Sequence, residues 1–252
     1  MTILCIETST SVCSAAICKD GALLKQCINY EGSNHARLLP LYMGQLLQYA
    51  RENGLKVEAI ALSEGPGSYT GLRIGTSTAK GLCYGLNVPL IPVPTLDILC
   101  LAAKEKLCSV SEQSERSVLC QPEAVLIPMI DARRMEVYTK VQRGDELDTN
   151  ENRAHAVVVE NEESFYSLLP TAFNFQLSTF NFFGDGAAKC TKVFTKPNWH
   201  YLPNIVPEAR FLAVYAEAIL DNNRNPYVDI AYYEPYYLKE FVAAQSHVKG
   251  LS

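Results

Sequence analysis

The chain has 252 residues, a formal net charge of −5, 48% apolar residues and 19% charged residues. This is the composition of a globular protein rather than a disordered one, and the length suffices for one large or two small domains. The acidic balance disfavours a free-standing nucleic-acid binder, which needs basic residues to neutralise phosphates.

Targeting and redox features point to the cytoplasm. No apolar run approaches the ~20 residues of a membrane helix, and Glu7 interrupts an N-terminus that lacks a basic region. The nine cysteines are an odd number without a C-x-x-C pair, and several lie in apolar runs: Cys5, Cys18, Cys83 and Cys100. Buried cytosolic thiols are therefore expected, rather than a disulfide framework or a zinc site.

Three consecutive strands are predicted first, over Thr2–Glu7, Val12–Cys18 and Ala22–Ile28. A helical period follows up to Asn53-Gly54, with apolar residues at Leu38, Leu39, Tyr42, Met43, Leu46, Leu47 and Ala50. Ser33 or Asn34 is expected to cap this helix, and Pro40 is tolerable only within its first turn.

The remaining pattern of the first half alternates strands and helices. Strands are predicted over Ala59–Ser63 and Pro89–Val93, and helices over Thr70–Leu86 and Thr95–Lys106. The order βββαβαβα predicts an α/β ribonuclease-H-like fold of the actin/hexokinase/Hsp70 class, with mixed sheets flanked by helices.

A second, smaller domain is expected after a polar linker at 107–123. Its predicted elements are strands Ala124–Ile130 and Met135–Val141 around the turn Asp131-Ala132-Arg133-Arg134, and strand Leu177–Phe183 ending at Gly184-Asp185-Gly186. The expected division is 1–106, joined by a helix at Glu208–Leu220, then 107–207, then an extended tyrosine-rich tail at 221–252.

The glycine-rich segment Ser63–Gly75, SEGPGSYTGLRIG, lies between a strand and a helix. It fails the P-loop spacing because no Gly-Lys-Ser/Thr follows, and it fails the dinucleotide spacing because Thr70 stands where the third glycine is required. Ser68 lacks the flanking glycines of a nucleophile elbow. A tight turn onto a helix remains, whose backbone N–H groups can face an anion or another backbone.

A vestigial phosphate site is one interpretation of the polar turns. In actin-like ATPases the turn after the first strand surrounds the nucleotide phosphates. The alternative is that these residues form an ordinary polar hairpin turn. The candidate residues are Glu7, Thr8, Ser9, Gly65, Gly67, Ser68, Gly184 and Gly186. Asp131 and Glu136 are either a catalytic acidic pair or exposed charges at a hairpin turn.

No metal site is expected. His35 would need a second histidine four positions later, and that position is Leu39. His35 alone is better explained as a capping or surface residue.

A partner surface is expected on the first two long helices. Gly71, Gly75 and Ala79 recur at i, i+4 and i+8, which allows another element to approach closely. The candidate interface residues are Leu38, Leu39, Tyr42, Met43, Leu46, Gly71, Leu72, Gly75, Ala79 and Leu82.

The motifs together resemble the TsaB family of bacterial tRNA threonylcarbamoyladenosine biosynthesis proteins. The loop resembles that family's GPGSFTGLRIG segment, and agreement continues at Ile6–Ser9, Asn34–Ala36, Asp131–Arg134, Gly184–Ala187 and Pro235–Lys239. The resemblance spans nearly the whole chain.

This resemblance implies an actin-like fold of two related domains and a role in modifying the tRNA adenosine beside the anticodon. It implies a non-catalytic relative of the TsaD transferase that pairs with TsaD through its first two helices, with a TsaE ATPase joining and tRNA contacted indirectly. TsaD carries a His-x3-His metal site in the region of His35, where this chain has Leu39. Alone, the apolar surface is expected to give a homodimer.

Two functional hypotheses follow. The first is a scaffold without catalysis or cofactor, in which ATP with Mg²⁺ is conceivable only at a shared or vestigial site. The alternative is an actin-like ATP-dependent phosphotransferase or ATPase. Peptidase activity is the weakest candidate, because no nucleophile–base pair is visible.

Overall fold

The computed structural model describes residues 1–32, 34–110, 124–144, 154–169, 178–222 and 224–239, with side chains described to 106 in the second range. Among these residues no helix is both long and apolar enough to cross a membrane.

The first half forms a five-stranded mixed sheet of order β3-β2-β1-β4-β5. Strands β1 to β3 are antiparallel, and β4 and β5 run parallel to β1. The elements are β1 Thr2–Glu7, β2 Cys13–Lys19, β3 Ala22–Asn29, α1 His35–Glu52, β4 Ala59–Gly65, α2 Tyr69–Leu86, β5 Leu90–Pro94 and α3 Thr95–Val110.

The second half repeats this topology in a sheet of order β11-β10-β6-β7-β9, with β8 also on β6. Its central strand β6 is antiparallel to β7 and parallel to β10, as β1 is to β2 and β4. The elements are β6 Ala124–Asp131, β7 Glu136–Thr139, β8 Gln142–Arg143, β9 His155–Val158, a 3₁₀ helix Glu162–Leu168, β10 Thr179–Phe183, a 3₁₀ helix Ala188–Lys192, β11 Trp199–Leu202 and α4 Arg210–Asp221.

The repeated topology confirms the predicted α/β, ribonuclease-H-like, actin-type fold. The short strands β9 and β11 were not predicted, because the sequence around them lacks a clear period. Helix α3 continues through 107–110, residues assigned to the linker, while 111–123 lie outside the described residues.

Alternation along β1 sends its side chains to two different cores. Leu4 and Ile6 pack under α1 and α2, in a cluster that includes Leu39 and Leu46. Ile3 and Cys5 face α3 and α4, and that cluster continues into the second sheet at Ala124, Leu126 and Phe183. Helices α3 and α4 therefore lie between the two sheets. The limits of the two domains stay a prediction.

The second sheet carries an aromatic core on its other face. The Phe180 and Trp199 rings stack at 4.8 Å, and Phe165 meets Phe194 edge-to-face at 5.5 Å. The four predicted buried thiols, Cys5, Cys18, Cys83 and Cys100, are buried and form no disulfide.

The start of α1 departs from expectation. Asn34 is the N-cap residue, but its side chain makes no capping hydrogen bond, and Ser33 lies outside the described residues. Pro40 lies inside the helix, beyond the first turn. The expectation that Pro40 would fall in the first turn is therefore wrong, and α1 lacks the backbone bond that residue 40 would donate to Ala36.

A buried ion pair joins the two halves. Lys140 Nζ lies 2.5 Å from Asp97 Oδ1, and the two side chains are 3% and 7% exposed. Asp97 belongs to α3, and Lys140 follows β7. Each charge depends on the other, because an isolated buried charge is strongly destabilising.

The tail from 224 to 239 contacts both halves of the chain. Val228 N donates to Leu90 O at 3.2 Å beside β5, and Tyr236 N donates to Glu64 O at 2.8 Å. The Lys239 ammonium then pairs with Glu136 of the second sheet. The described part of the tyrosine tail therefore packs on its own chain.

Lys140→Met is expected to lower the free energy of unfolding by about 3–5 kcal/mol, because it leaves Asp97 buried without this cation. Urea unfolding followed by circular dichroism measures the loss. The double variant Lys140→Met/Asp97→Leu should recover most of it. Equal losses in the single and double variants would show that the ion pair is not the origin of the effect.

Candidate functional site

The turn between β1 and β2 is seated in the glycine-rich loop. Ser68 N donates to Ser9 O at 2.6 Å, and the Thr8 hydroxyl donates to Gly71 O at 2.9 Å. Thr8 and Ser9 are both fully buried. The chain's own backbone therefore lies against the glycine-rich loop.

The glycines of the loop are required by this contact. A Cβ on Gly67 would lie 2.3 Å from Ser9 O, and one on Gly71 would lie 2.0 Å from Thr8 O. A Cβ on Gly75 would lie 2.4 Å from the Thr8 hydroxyl oxygen. No side chain fits at such distances, so the small residues serve a close approach within the chain.

Ser68 is a helix cap rather than a nucleophile. Its hydroxyl oxygen accepts a bond from Gly71 N at 3.3 Å at the start of α2. The amides of Ser68 and Gly71 thus both have protein acceptors. The carbonyls of Thr8 and Ser9 fill the loop, and carbonyl oxygens repel phosphate, so these residues do not fit a nucleotide phosphate.

The other glycines of the candidate phosphate set also face backbone. A Cβ on Gly65 would lie 2.5 Å from Tyr236 O in the tail, and one on Gly184 would lie 2.2 Å from Met129 O. Gly186 is packed against the backbone of Ile130 and Asp131, 2.8–3.0 Å from a built Cβ. The turn after β10 is therefore held against the end of β6.

Glu7, the last residue of β1, has a strongly raised pKa. It is fully buried, and its Oε1 accepts bonds from the Ser9 amide at 2.6 Å and the Ser9 hydroxyl at 2.5 Å. Its Oε2 has no hydrogen-bond partner among the described residues. Burial raises the pKa of Glu7 to about 7, the bonds from Ser9 oppose that rise, and the charge of Asp185 across the junction adds to it.

The acidic residues of the β6–β7 hairpin are engaged with cations. Asp131 pairs with Lys189, and Glu136 pairs with Lys239. Asp131 N also donates to Asp185 Oδ1 at 3.1 Å. These contacts support the interpretation of Asp131 and Glu136 as hairpin charges rather than a catalytic pair.

His35 was expected to be a capping or surface residue, and this expectation is wrong. It is 8% exposed, and its Nε2 lies 3.2 Å from Val12 O. Leu39, one turn later, is fully buried in the core under α1. Among the described residues no group of three His, Cys, Asp or Glu side chains could hold a metal ion.

The predicted interface residues divide into two sets. Those on the inner faces of the helices are buried in the chain's own core: Leu39, Met43, Leu46, Gly71, Leu72, Gly75 and Ala79. Leu38, Tyr42 and Leu82 are only partly buried. The expectation that the small-residue stripe faces a partner is wrong, because Thr8 and Leu62 already pack against it.

The outer faces of α1 and α2 instead form a groove that the spacing of the small residues did not predict. Its volume is about 440 Å³, and it is lined by Ala36, Pro40, Tyr69, Thr70, Arg73, Ile74, Ser77 and Thr78. Leu41 is 58% exposed and Tyr84 is 85% exposed on the same two helices. These apolar side chains off the helical stripe were the available sequence signal.

A sequence model of a known family matches residues 30–247 of this chain, and that family is described as TsaD, tRNA N6-adenosine threonylcarbamoyltransferase. The chain belongs to the TsaD family. Its match to this family covers α1, the glycine-rich loop and the second sheet.

Within the TsaD family, the chain is similar to curated TsaB proteins. It is 35% identical over 140 residues to tRNA threonylcarbamoyladenosine biosynthesis protein TsaB of Haemophilus influenzae, covering 55% of this chain and 52% of that protein. The TsaB of Escherichia coli is 32% identical over 146 residues, covering 58% and 57%. The matches span about half the length of these relatives.

A solved structure described as YeaZ from Pseudomonas aeruginosa aligns over 94% of this chain and 99% of that one, with a TM-score of 0.66 and 25% identity. A second Pseudomonas aeruginosa protein, described as uncharacterized with similarity to peptidase YEAZ, aligns with a TM-score of 0.68 at 24% identity. The relatives named TsaB, at 32–35% identity, confirm the predicted resemblance to TsaB.

Gly71→Ala is expected to lower the free energy of unfolding by about 2–3 kcal/mol, because its Cβ would overlap Thr8 O at 2.0 Å. The matched control is Gly81→Ala in the same helix, where nothing lies within 4 Å of the added atom. That control should stabilise the protein by up to about 1 kcal/mol. Chemical denaturation distinguishes the two, and similar values for both would contradict the close seating of the turn.

The stability of the protein should fall as pH rises, through Glu7. In the unfolded chain the carboxyl has the ordinary glutamate pKa of 4.5, whereas its folded pKa is about 7. Unfolding therefore releases a proton between these values, and the free energy of unfolding decreases across that window by about 3 kcal/mol. Well above pH 7 this loss is complete.

Glu7→Gln keeps the acceptor for Ser9 and removes the titration. Denaturation at pH 5 and pH 8 should then show a difference about 2.5 kcal/mol smaller than in the wild type. Exposed Glu163→Gln is the control and should keep the wild-type difference. An unaltered pH dependence in Glu7→Gln would rule out Glu7 as its source.

Proposed function

We propose that the chain is a non-catalytic scaffold that pairs with a TsaD-like transferase in the threonylcarbamoyl modification of tRNA adenosine. The observation that carries this proposal is the glycine-rich loop filled by the carbonyls of Thr8 and Ser9, which leaves a positioned helix α2 without a phosphate cradle. Family membership and the names of the TsaB relatives supply the pathway.

A scaffold role is further supported at α1. Residue 39 is a buried leucine, and neighbouring His35 is engaged with Val12 O, so the described residues offer no metal-binding pair there. An ATPase or phosphotransferase would need its phosphates where the first turn is seated, so the alternative has less support.

The pairing surface is the groove between the outer faces of α1 and α2. Its residues Arg73, Ile74 and Ser77 lie on α2 beside Pro40 of α1. A specific complex buries on the order of 1,600 Å² in total, so the groove is the centre of a wider contact that includes exposed Leu41 and Tyr84. A TsaE-like ATPase, a homodimer of the isolated chain and a cytoplasmic location belong to the same proposal.

Reconstitution tests the function directly. A TsaD-like transferase with its other factors should modify tRNA only when this chain is added, as followed by mass spectrometry of digested tRNA. The chain without the transferase should give no product. Equal modification with and without this chain would contradict the scaffold role.

Ser77→Arg tests the surface. Ser77 is exposed and lines the groove, so the fold should be unchanged, while a charge buried against an apolar partner should weaken pairing by at least about 10-fold. The readout is the dissociation constant by calorimetry.

Ser167→Arg is the matched control for this variant. Ser167 is exposed on a 3₁₀ helix of the second half and lies outside the groove, so the same substitution there should leave pairing normal. Wild-type affinity in Ser77→Arg would place the contact elsewhere.

A further inference from the structure

The tip of the β6–β7 hairpin holds two adjacent arginines in a backbone conformation that arginine seldom adopts. φ is 72° at Arg133 and 47° at Arg134. Left-handed φ is costly for residues with a Cβ, and turns that need it twice in succession usually carry Asn-Gly or Gly-Gly. The turn itself therefore does not explain why two long cationic side chains stand here.

The strained turn cannot relax, because the chain around it is fixed. Glu136 N donates to Arg133 O at 3.1 Å, and Arg133 N donates to Asp131 Oδ1 at 3.0 Å. Val159 N donates to Met135 O at 2.7 Å from the neighbouring strand region. Backbone strain that surrounding contacts hold in place is typical of functional sites.

The two guanidinium groups are left without local compensation. Both arginines are exposed, and in the described part of the chain neither forms an ion pair. The nearby carboxylates have other partners: Asp131 pairs with Lys189, Glu136 pairs with Lys239, and Asp185 accepts a bond from the Asp131 amide. An acidic protein of net charge −5 therefore presents a locally cationic tip.

The chemistry of this tip suits phosphate on an extended polyanion. Guanidinium is planar and always charged, and its fork of N–H groups matches phosphate oxygens. The arginines stand side by side at an exposed hairpin tip, so both guanidinium groups can contact successive phosphates of one strand, which favours a nucleic-acid backbone over a small anion. Their turn lies beside the Gly184–Gly186 turn, which packs against Asp131. The charge of Asp185 in that turn also acts on Glu7.

We propose that Arg133 and Arg134 bind backbone phosphates of the tRNA that the complex modifies. This inference rests on the proposed function, and it gives the chain a direct contact with tRNA where only an indirect one was expected. The two arginines supply orientation and affinity rather than base recognition, because phosphate contacts carry no sequence information.

Arg133→Asn/Arg134→Gly is the decisive variant, because it removes both charges and inserts residues that suit the turn. The chain in complex with its TsaD-like partner is titrated into labelled unmodified tRNA at several salt concentrations. Affinity should fall at least about 10-fold, and the slope of log affinity against log salt should drop by about 1–2. The melting temperature of the free chain should stay equal or rise, which excludes unfolding as the cause.

Two control variants separate charge from shape. Arg133→Lys/Arg134→Lys keeps both charges and should keep most of the salt slope. Lys56→Gln removes one exposed charge from the first half of the chain and should bind like the wild type. Unchanged affinity and slope in Arg133→Asn/Arg134→Gly would overturn the inference, as would a wild-type complex that does not bind tRNA.

The modification assay on the same samples distinguishes the two failures. If the wild-type complex modifies tRNA and the double variant binds it normally, only the arginine site is wrong. If the wild-type complex has no modification activity but the double variant loses tRNA binding, the site stands and the proposed function fails.

Discussion

The whole architecture depends on the close seating of the Thr8–Ser9 turn in the glycine-rich loop. That contact fixes the end of β1 against the start of α2 through two hydrogen bonds and three glycines that no side chain could replace. Because α2 is fixed there, its outer face is set beside α1, and the groove between the two helices follows. A loop that resembles an anion cradle is thus used to position a helix.

The two halves are held together by unlike interactions. The Lys140–Asp97 ion pair is buried between the two halves. The tail contacts β5 through Val228 and the second sheet through Lys239. Glu7, at the end of β1, has a carboxyl group that burial keeps protonated up to about pH 7. The junction therefore couples stability to proton binding without needing a ligand.

Periodicity carried most of the fold. The apolar runs of β1, β2 and β4 and the helical stripe of α1 predict these elements, and their order predicts the actin-type topology. The short strands β9 and β11 were not predicted, because four residues at a sheet edge show little alternation of apolar and polar side chains. Pro40 was misjudged because sequence does not reveal where the first turn of α1 begins.

The candidate site shows what spacing cannot provide. The spacing of Gly71, Gly75 and Ala79 predicts that another segment approaches the helix closely, but it does not identify that segment. The structure shows that it is the turn at Thr8, 63 residues away from Gly71 along the chain. Likewise the letters Arg133-Arg134 suggest an ordinary charged turn, and only the backbone angles show that the pair is held under strain.

The amide of Ser68 tests the central claim most directly. Its bond to Ser9 O at 2.6 Å predicts slow hydrogen exchange in the isolated protein, and neither its exchange rate nor its chemical shift should change on adding millimolar Mg-ATP. Fast exchange, or a shift that saturates with Mg-ATP, would show that the loop opens to phosphate and would contradict the account.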